Sequence, residues 1–388
     1  MIEKYLSLYI HIPFCIRKCN YCDFLSAPAD EETKEAYIQA LLLEIESYRE
    51  SELSQRKIAT VFFGGGTPSV LAADQITRIL DKIKSVFELI PECEISLEMN
   101  PGTVTKEKCK CYFNAGVNRV SIGLQSPDDV LLQTLGRIHT YEQFLQTYDD
   151  VRVAGFQNVN IDLMSDLPGQ ELGGYIEGVR KVTMLSPEHI SAYSLIIEEG
   201  TPFYDKYKNE CNLFPDEQED RAMYEQTKGV LKEFGYKRYE ISNYARPGYE
   251  CKHNMVYWKC EDYLGLGLGS SSLINDARFK NTCDLKKYIA DWKAGKGNSA
   301  QGFEREELTC RMQMEEFMFM GLRMMRGVSE RRFEEKFGDT MQQIYRKQLE
   351  RLAEEKLLYK YEKTDGDYWA LTDKGIDVSN YVFEQFLF

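Results

Sequence analysis

The chain has 388 residues, 43% of them hydrophobic and 28% charged, with a net charge of −14. That length exceeds one typical domain and suits a large α/β domain with a smaller companion. The acidity excludes a general nucleic-acid binder, whose phosphate contacts need clustered Lys and Arg. No apolar run is long enough to span a bilayer, and the opening Met1-Ile2-Glu3-Lys4-Tyr5-Leu6 lacks a signal-peptide layout, so a cytoplasmic protein is expected.

Six strand-then-helix units are predicted. The strands are Ser7–Ile12, Thr60–Phe63, Glu94–Met99, Arg119–Gly123, Val159–Leu163 and His189–Ile196, each a short β-rich apolar run. Between them the apolar residues take helical period: Tyr37, Leu41, Ile45 and Tyr48 share one face, as do Ile76, Ile79, Leu80, Ile83 and Phe87. Alternating strands and helices imply a parallel sheet with right-handed crossovers, either a partial (β/α) barrel or an open doubly wound sheet. A helix near Glu217–Phe234 follows, then one strand over Tyr236–Ala245 and an aromatic, Gly-rich stretch to about Ser272. From about Gly302 the texture changes. Helices are expected over Met312–Arg323, Glu330–Phe337 and Thr340–Glu355, then a hairpin Leu358–Tyr361/Tyr368–Leu371 turned by Asp365-Gly366-Asp367. Helices before a hairpin suggest a winged helix, but acidic residues outnumber basic ones over 301–388, which favours packing or docking over DNA binding.

There are eleven Cys. An odd number without an export signal argues against a disulfide framework. Three are bunched at Cys15, Cys19 and Cys22, directly after the first strand, and the others read as reduced thiols. Spacing C-x3-C-x2-C lets three thiolates reach three corners of a [4Fe–4S] cubane and leaves the fourth iron open. S-adenosylmethionine (SAM) can chelate an open iron through its amine and carboxylate, and one electron from the cluster then cleaves it to a 5′-deoxyadenosyl radical. A zinc loop would need a fourth ligand, commonly from a second Cys pair, and none lies near in sequence. This spacing after a first strand is the pattern of the radical SAM superfamily.

Further candidates fall at the C-terminal ends of the strands, where active sites of parallel α/β folds lie. Tyr21 is placed to cover an adenine or to pack the loop. Gly64-Gly65-Gly66-Thr67-Pro68 allows close backbone approach to a ligand. Glu98, Gln125 and Asp162 end or interrupt the third, fourth and fifth strands; a carboxylate in a buried strand is costly unless paired or ligand-bound. Arg137 could pair with a carboxylate. Each alone also suits a capping or salt-bridge role.

His11 through Cys15, Gly64 through Pro68, Glu98 through Pro101, Leu124-Gln125, Gly136-Arg137-Ile138-His139, Asp162-Leu163-Met164 and Leu167-Pro168-Gly169-Gln170 together resemble the oxygen-independent coproporphyrinogen III oxidase family. The resemblance covers nearly the whole chain. It implies a partial (β/α)6 radical SAM barrel over residues 1–235, an extension over 236–300 and a small C-terminal, winged-helix-like α+β domain over 301–388. It also implies SAM contacts at Tyr9, Tyr21, Gly65, Gly66, Thr67, Glu98, Gln125, Arg137, Asp162 and Ile196, with one or two SAM molecules.

Two features depart from the oxidase pattern. Phe24 stands where the oxidases carry a further Cys, and Cys15 falls near the start of the sequence, without the oxidases' long N-terminal extension. Both resemble the heme-chaperone branch of the family, as does His253-Asn254-Met255-Val256-Tyr257-Trp258, a motif associated there with heme. His is a common axial ligand of heme iron, and Tyr257 and Trp258 offer flat faces to a porphyrin; the alternative is a satisfied His among packing aromatics. The Gly265-Leu266-Gly267-Leu268-Gly269 segment reads as a tight bend at the cofactor mouth rather than a dinucleotide fingerprint. The expectation is a heme-trafficking protein that keeps cluster and SAM, delivers heme to membrane cytochromes, and sits in the cytoplasm or peripherally at the membrane. The alternatives are decarboxylation of coproporphyrinogen III, or another porphyrin-modifying or methyl-transferring radical SAM activity.

Overall fold

The computed structural model describes residues 5–210, 213–297 and 305–388. All six expected units are present: β1 (Leu6–Ile12), α1 (Glu31–Ser47), β2 (Ile58–Gly65), α2 (Ala73–Val86), β3 (Leu89–Met99), α3 (Lys106–Ala115), β4 (Arg119–Gln125), α4 (Asp129–Thr134), α5 (Tyr141–Ala154), β5 (Val159–Ser165), α6 (Leu172–Met184) and β6 (His189–Ser194). Local chemistry sets the helix starts. The Asp30 side chain accepts from the Thr33 N–H at 2.8 Å before α1, and Thr140 with Gln143 forms a capping box before α5. The α2 face foreseen from its period is buried at Ile76, Ile79, Leu80 and Ile83.

Strands β1 to β6 lie side by side in chain order, every neighbouring pair parallel. That order settles the choice left open above. Successive right-handed crossovers in one direction put all helices on one face, and the sheet curls into a partial barrel. The outer strands of the sheet do not pair with each other.

After α7 (Pro202–Tyr207) and α8 (Glu217–Glu233), the residues of the extension complete the same sheet. Tyr236–Ala245 is not one strand as expected. It forms a short antiparallel pair, β7 (Lys237–Arg238) and β8 (Asn243–Ala245), beside β6. Helix α9 (Lys252–Trp258) carries the aromatic motif. Strand β9 (Tyr263–Leu266) then pairs parallel with β1, a long-range partner that local pattern does not show. Strands β10 (Ser271–Ile274) and β11 (Ala277–Lys280), helix α10 (Leu285–Lys293) and strand β12 (Glu306–Glu307) finish that edge.

The C-terminal part has its own apolar core, including Met318, Phe333, Tyr345, Leu349 and Val382. It comprises α11 (Cys310–Gly321), β13 (Val328–Ser329), α12 (Glu330–Phe337), α13 (Met341–Glu354), the hairpin β14 (Leu358–Lys363) and β15 (Gly366–Leu371), α14 (Asp373–Asp377) and α15 (Ser379–Glu384). Arg278 to Glu316 at 2.8 Å and Lys228 to Asp373 at 2.7 Å tie it to the barrel.

The strands alternate in chemistry as well as direction. Leu6, Leu8, Ile10, Val61, Phe63, Leu97, Val120, Ile122, Ile161 and Ile190 are fully buried in the main apolar core. The residues between them are mostly polar: Ser7, Thr60, Glu94, Ser96, Glu98, Arg119, Ser121, Asn160, Asp162, His189 and Ser191. The barrel therefore has an apolar convex layer and a polar concave face. Helix α9 packs on that concave face, with His253 stacked 5.0 Å from the Phe62 ring and 6.4 Å from Tyr9.

Candidate cofactor site

The cluster loop leaves β1 and folds back on itself. Cys15 N–H donates to Ala27 C=O at 3.2 Å, and Asn20 is pinned to the end of α4 through Leu135 and Thr134 carbonyls, both at 3.0 Å. Cys15, Cys19 and Cys22 are all partly exposed. The Cys15 Sγ lies 3.5 Å from Thr67 Oγ1, and Arg137 Nη1 lies 3.6 Å from Cys19 Sγ. Burial raises the pKa of the Cys22 thiol. Among the described residues, no group of three His, Cys, Asp or Glu converges on a point fit for a single ion. A zinc loop requires such convergence, whereas a cubane takes one thiolate on each of three separate irons. The three thiols, gathered on one loop, fit the one-thiolate-per-iron demand of a [4Fe–4S] cluster.

Behind the loop stands the glycine run. Its tightness serves the protein's own packing, while Gly65 and Gly66 also line the cavity beside the cysteine loop. A Cβ on Gly65 would lie 2.5 Å from the His11 ring, at a φ of +109°, and one on Gly66 would lie 2.6 Å from Phe14 O. The glycines let β2 press against the cluster loop. Thr67, 3% exposed, accepts from Asn100 Nδ2 at 2.8 Å, and Asn100 Oδ1 accepts from Arg137 Nη2 at 2.7 Å. Arg137 also donates to Gly123 C=O at 2.5 Å. Asn100 is therefore the hinge between the glycine run and the arginine. Nothing in the local pattern marks Asn100, unlike the strand carboxylate Glu98 two residues earlier.

A cavity of about 540 Å³ opens inside this frame. It is lined by Cys15, Cys19, Cys22, Tyr21, Gly65, Gly66, Thr67, Glu98, Gln125, Arg137, Asp162 and Ile196. The structure thus gathers all but one of the residues expected to contact SAM. The exception, Tyr9, faces an adjoining chamber of about 410 Å³, which shares Phe24, Gly65 and Glu98 with the first. Ile196 stands at the mouth, 71% exposed. Tyr21 packs edge-on against Phe203 with ring centroids 6.3 Å apart, so it both lines the cavity and holds the loop. Gln125 sits at an irregular step of β4 with φ of 73°, an unusual conformation for a side-chain-bearing residue. Its Oε1 accepts from Tyr193 OH at 3.0 Å.

The two carboxyls differ in support. Asp162 accepts from Asn160 Nδ2 at 2.7 Å and from Ser121 Oγ at 3.3 Å; burial still raises its pKa. Burial, then the nearby Asp162 charge, pushes Glu98 up to about 8, against the pull of the Gly65 N–H and of Arg119. A carboxyl near neutrality and a second one close by suit a ligand that brings hydroxyls or an ammonium.

The heme expectation meets a different geometry. His253 is 1% exposed, with Nδ1 2.7 Å from Thr60 Oγ1 and Nε2 2.9 Å from Tyr257 OH. Both ring nitrogens are taken, and burial lowers its pKa to about 3. In this arrangement His253 offers no lone pair to an iron, which corrects its expected role as an accessible ligand; it behaves as the satisfied His among packing aromatics. Tyr257 faces the chamber that holds Tyr9, whereas Trp258 faces a third cavity of about 370 Å³ against the C-terminal part, with Arg323 stacked 4.4 Å over its ring. Seven residues of one helix point these three side chains into different surroundings, so they do not form one porphyrin platform. No helix among the described residues is long and apolar enough to cross a membrane.

Comparison with known proteins agrees with this frame. Residues 9–177 match the radical SAM superfamily and residues 308–378 the HemN C-terminal domain. Heme chaperone HemW of Lactococcus lactis is 38% identical over 100% of this chain and 98% of its own length. Heme chaperone HemW of Bacillus subtilis is likewise 38% identical, over 98% of this chain and 99% of its own. Among solved structures, the radical SAM enzyme coproporphyrinogen III oxidase (HemN) from Escherichia coli superposes with a TM-score of 0.84 at 23% identity, covering 99% of this chain and 90% of that one; it shares the fold. Radical SAM membership implies a [4Fe–4S] cluster and SAM. On the near full-length kinship, the chain belongs to the HemW family of heme chaperones within the radical SAM superfamily.

Proposed function

We propose that this protein binds heme, holds a [4Fe–4S] cluster and SAM in the barrel, and hands heme to respiratory cytochromes. The observation that carries the reading is the kinship with proteins named heme chaperone over essentially the entire chain. Phe24 agrees with it: it is 63% exposed at the cavity mouth, where the oxidase pattern has a Cys.

In this reading Cys15, Cys19 and Cys22 each hold one iron. When bound, the cluster supplies the electron for reductive cleavage of SAM. The chain's own residues position and shield. Thr67 and Arg137, joined through Asn100, brace Cys15 and Cys19. Glu98 and Asp162 accept hydrogen bonds from ribose hydroxyls or the ammonium. Tyr9 and Tyr257 wall the adjoining chamber, where a flat apolar ligand can stack. Iron ligation by His253 would first require breaking its bonds to Thr60 and Tyr257.

The test is a hemin titration of anaerobically reconstituted protein, with a coproporphyrinogen III assay on the same sample. Saturable heme binding without coproporphyrinogen consumption is expected. Repeated decarboxylation without heme binding would replace this reading with the oxidase.

A further inference from the structure

Arg119 begins β4 and faces the concave side of the sheet. It is 2% exposed, yet no hydrogen bond or ion pair joins its guanidinium to a described residue, and Nε is buried without a partner. The acids near it are committed elsewhere. Glu94 accepts from the backbone N–H of Lys252 and of His253, both at 3.1 Å, and Asp162 accepts from Asn160 and Ser121. Nearby groups including Glu94 and Asp162 favour its charge from a distance, but a buried guanidinium without a hydrogen-bonded acceptor is costly, and such groups are normally matched by an anion. Here the guanidinium lines the inner end of the 540 Å³ cavity beside Asn243 and Asn254, and Asn243 Oδ1 also lacks a partner.

We infer that Arg119 receives the carboxylate of a ligand that occupies the inner end of this cavity. The planar fork of five donors matches a carboxylate in bidentate contact. Glu94 and Asp162 nearby disfavour a dianion such as phosphate and suit a single negative charge. Arg119 and Gln125 stand at opposite ends of β4, roughly 20 Å apart at ~3.3 Å per residue. Arg119 is therefore remote from the edge where the three thiols gather, and the group it receives lies deep. The SAM carboxylate belongs at the cluster iron, so the source that carries this chemistry is a propionate arm of the porphyrin, which rests on the heme reading above.

The test uses reconstituted protein with Arg119→Gln and Arg119→Lys, titrated with hemin, hemin dimethyl ester and SAM. If the source is a propionate, R119Q weakens hemin roughly ten-fold or more, R119K weakens it less, and ester binding is the same in all three proteins. SAM affinity is expected to be unchanged; if SAM binding alone weakens, Arg119 serves the cluster cofactor and the inference is overturned. If no affinity changes, the inference is overturned. Should the wild type bind no hemin, the heme reading fails by itself, and melting the wild type in propionate against propionamide decides Arg119. Should the variants fail to reconstitute, the wild type is melted in sodium propionate and in propionamide at equal concentration and ionic strength. Greater stabilisation by propionate supports the inference, and equal effects overturn it.

Discussion

The concave face of the barrel has two halves. Over β1 to β3 lies α9, and there, Ser96 Oγ excepted, the polar groups named are answered from within: Thr60 and Tyr257 take both nitrogens of His253, and Glu94 takes the backbone N–H groups that open the helix. Over β4 to β6 the face lines the 540 Å³ cavity. Asn160 and Tyr239 satisfy His189, but Arg119 stands unpaired. The halves have similar residue types and opposite accounts. Where partners are supplied internally, a His or Glu is architecture; where they are missing beside a cavity, the residue awaits a ligand.

The largest effect expected is at the mouth, outside both halves. Replacing Cys15, Cys19 or Cys22 by Ala should abolish assembly of the cluster, about four irons per chain, whereas Cys93→Ala or Cys283→Ala should leave it intact. Iron and sulfide analysis after reconstitution decides. Equal loss from the buried Cys93 or the exposed Cys283 would place the ligands elsewhere.

Next comes the covered half. His253→Ala removes a ring stacked on Phe62 and strands the hydroxyls of Thr60 and Tyr257. A loss of about 2–4 kcal/mol is expected from the cavity and the orphaned groups, read by urea unfolding. Iron incorporation should be unchanged. A stable variant with an altered heme spectrum would instead revive His253 as a ligand and erase the contrast between the halves.

Much of this was legible in advance, for identifiable reasons. Period-two and period-3.6 patterns located the six units, because each rests on short-range burial, as with Leu8 and Ile10 in β1 or Ile76 and Ile79 in α2. The C-x3-C-x2-C loop and the carboxyls Glu98 and Asp162 stood out because burying such groups is costly. Strand β9 was not legible, since its pairing with β1 joins residues far apart in sequence. Nor was the state of His253, whose partner Thr60 lies 193 positions away. Arg119 looked like an ordinary strand-opening residue; its significance is a missing partner, which no local pattern encodes. A usable signal was nevertheless present: polar residues recur at every second position through β3, β4 and β5, marking a polar interior rather than one exceptional Asp162.

A third, smaller effect probes the cavity edge of β3 through pH. Glu98 holds its proton to about 8 in the folded chain, against 4.5 as its ordinary value. Between those values the folded state binds more protons than the unfolded one, so stability is greatest at low pH in this window and falls as pH rises toward 8. Glu98→Gln should flatten that decline in the cofactor-free protein. Glu98 is only half-buried, so the recovery above pH 8 is put at about 1 kcal/mol. Melting temperatures of both proteins at about pH 5 and about pH 9 measure it. Parallel pH profiles would show that Glu98 is solvated like an ordinary surface carboxyl.

The smallest effect is expected at Phe24, and its smallness is informative. The Phe24 side chain is 63% exposed, and the contact that fixes the residue is made by its backbone carbonyl, which accepts from Lys18 Nζ at 2.9 Å. Phe24→Cys keeps that contact, buries nothing new and restores the Cys of the oxidase pattern. Stability should move by less than about 0.5 kcal/mol, the usual range for exposed positions. Because Phe24 lines both the cofactor cavity and the chamber of Tyr9 and Tyr257, the variant also asks what separates a heme carrier from a decarboxylase. If one thiol at the mouth were the difference, F24C would consume coproporphyrinogen III under reducing, anaerobic conditions. No consumption is expected: a thiol at the exposed mouth leaves unchanged the covered half held by α9 and the inner end marked by Arg119, where any ligand must be bound and oriented. Multiple turnovers by F24C would instead assign the divergence to the mouth and take that role from the interior.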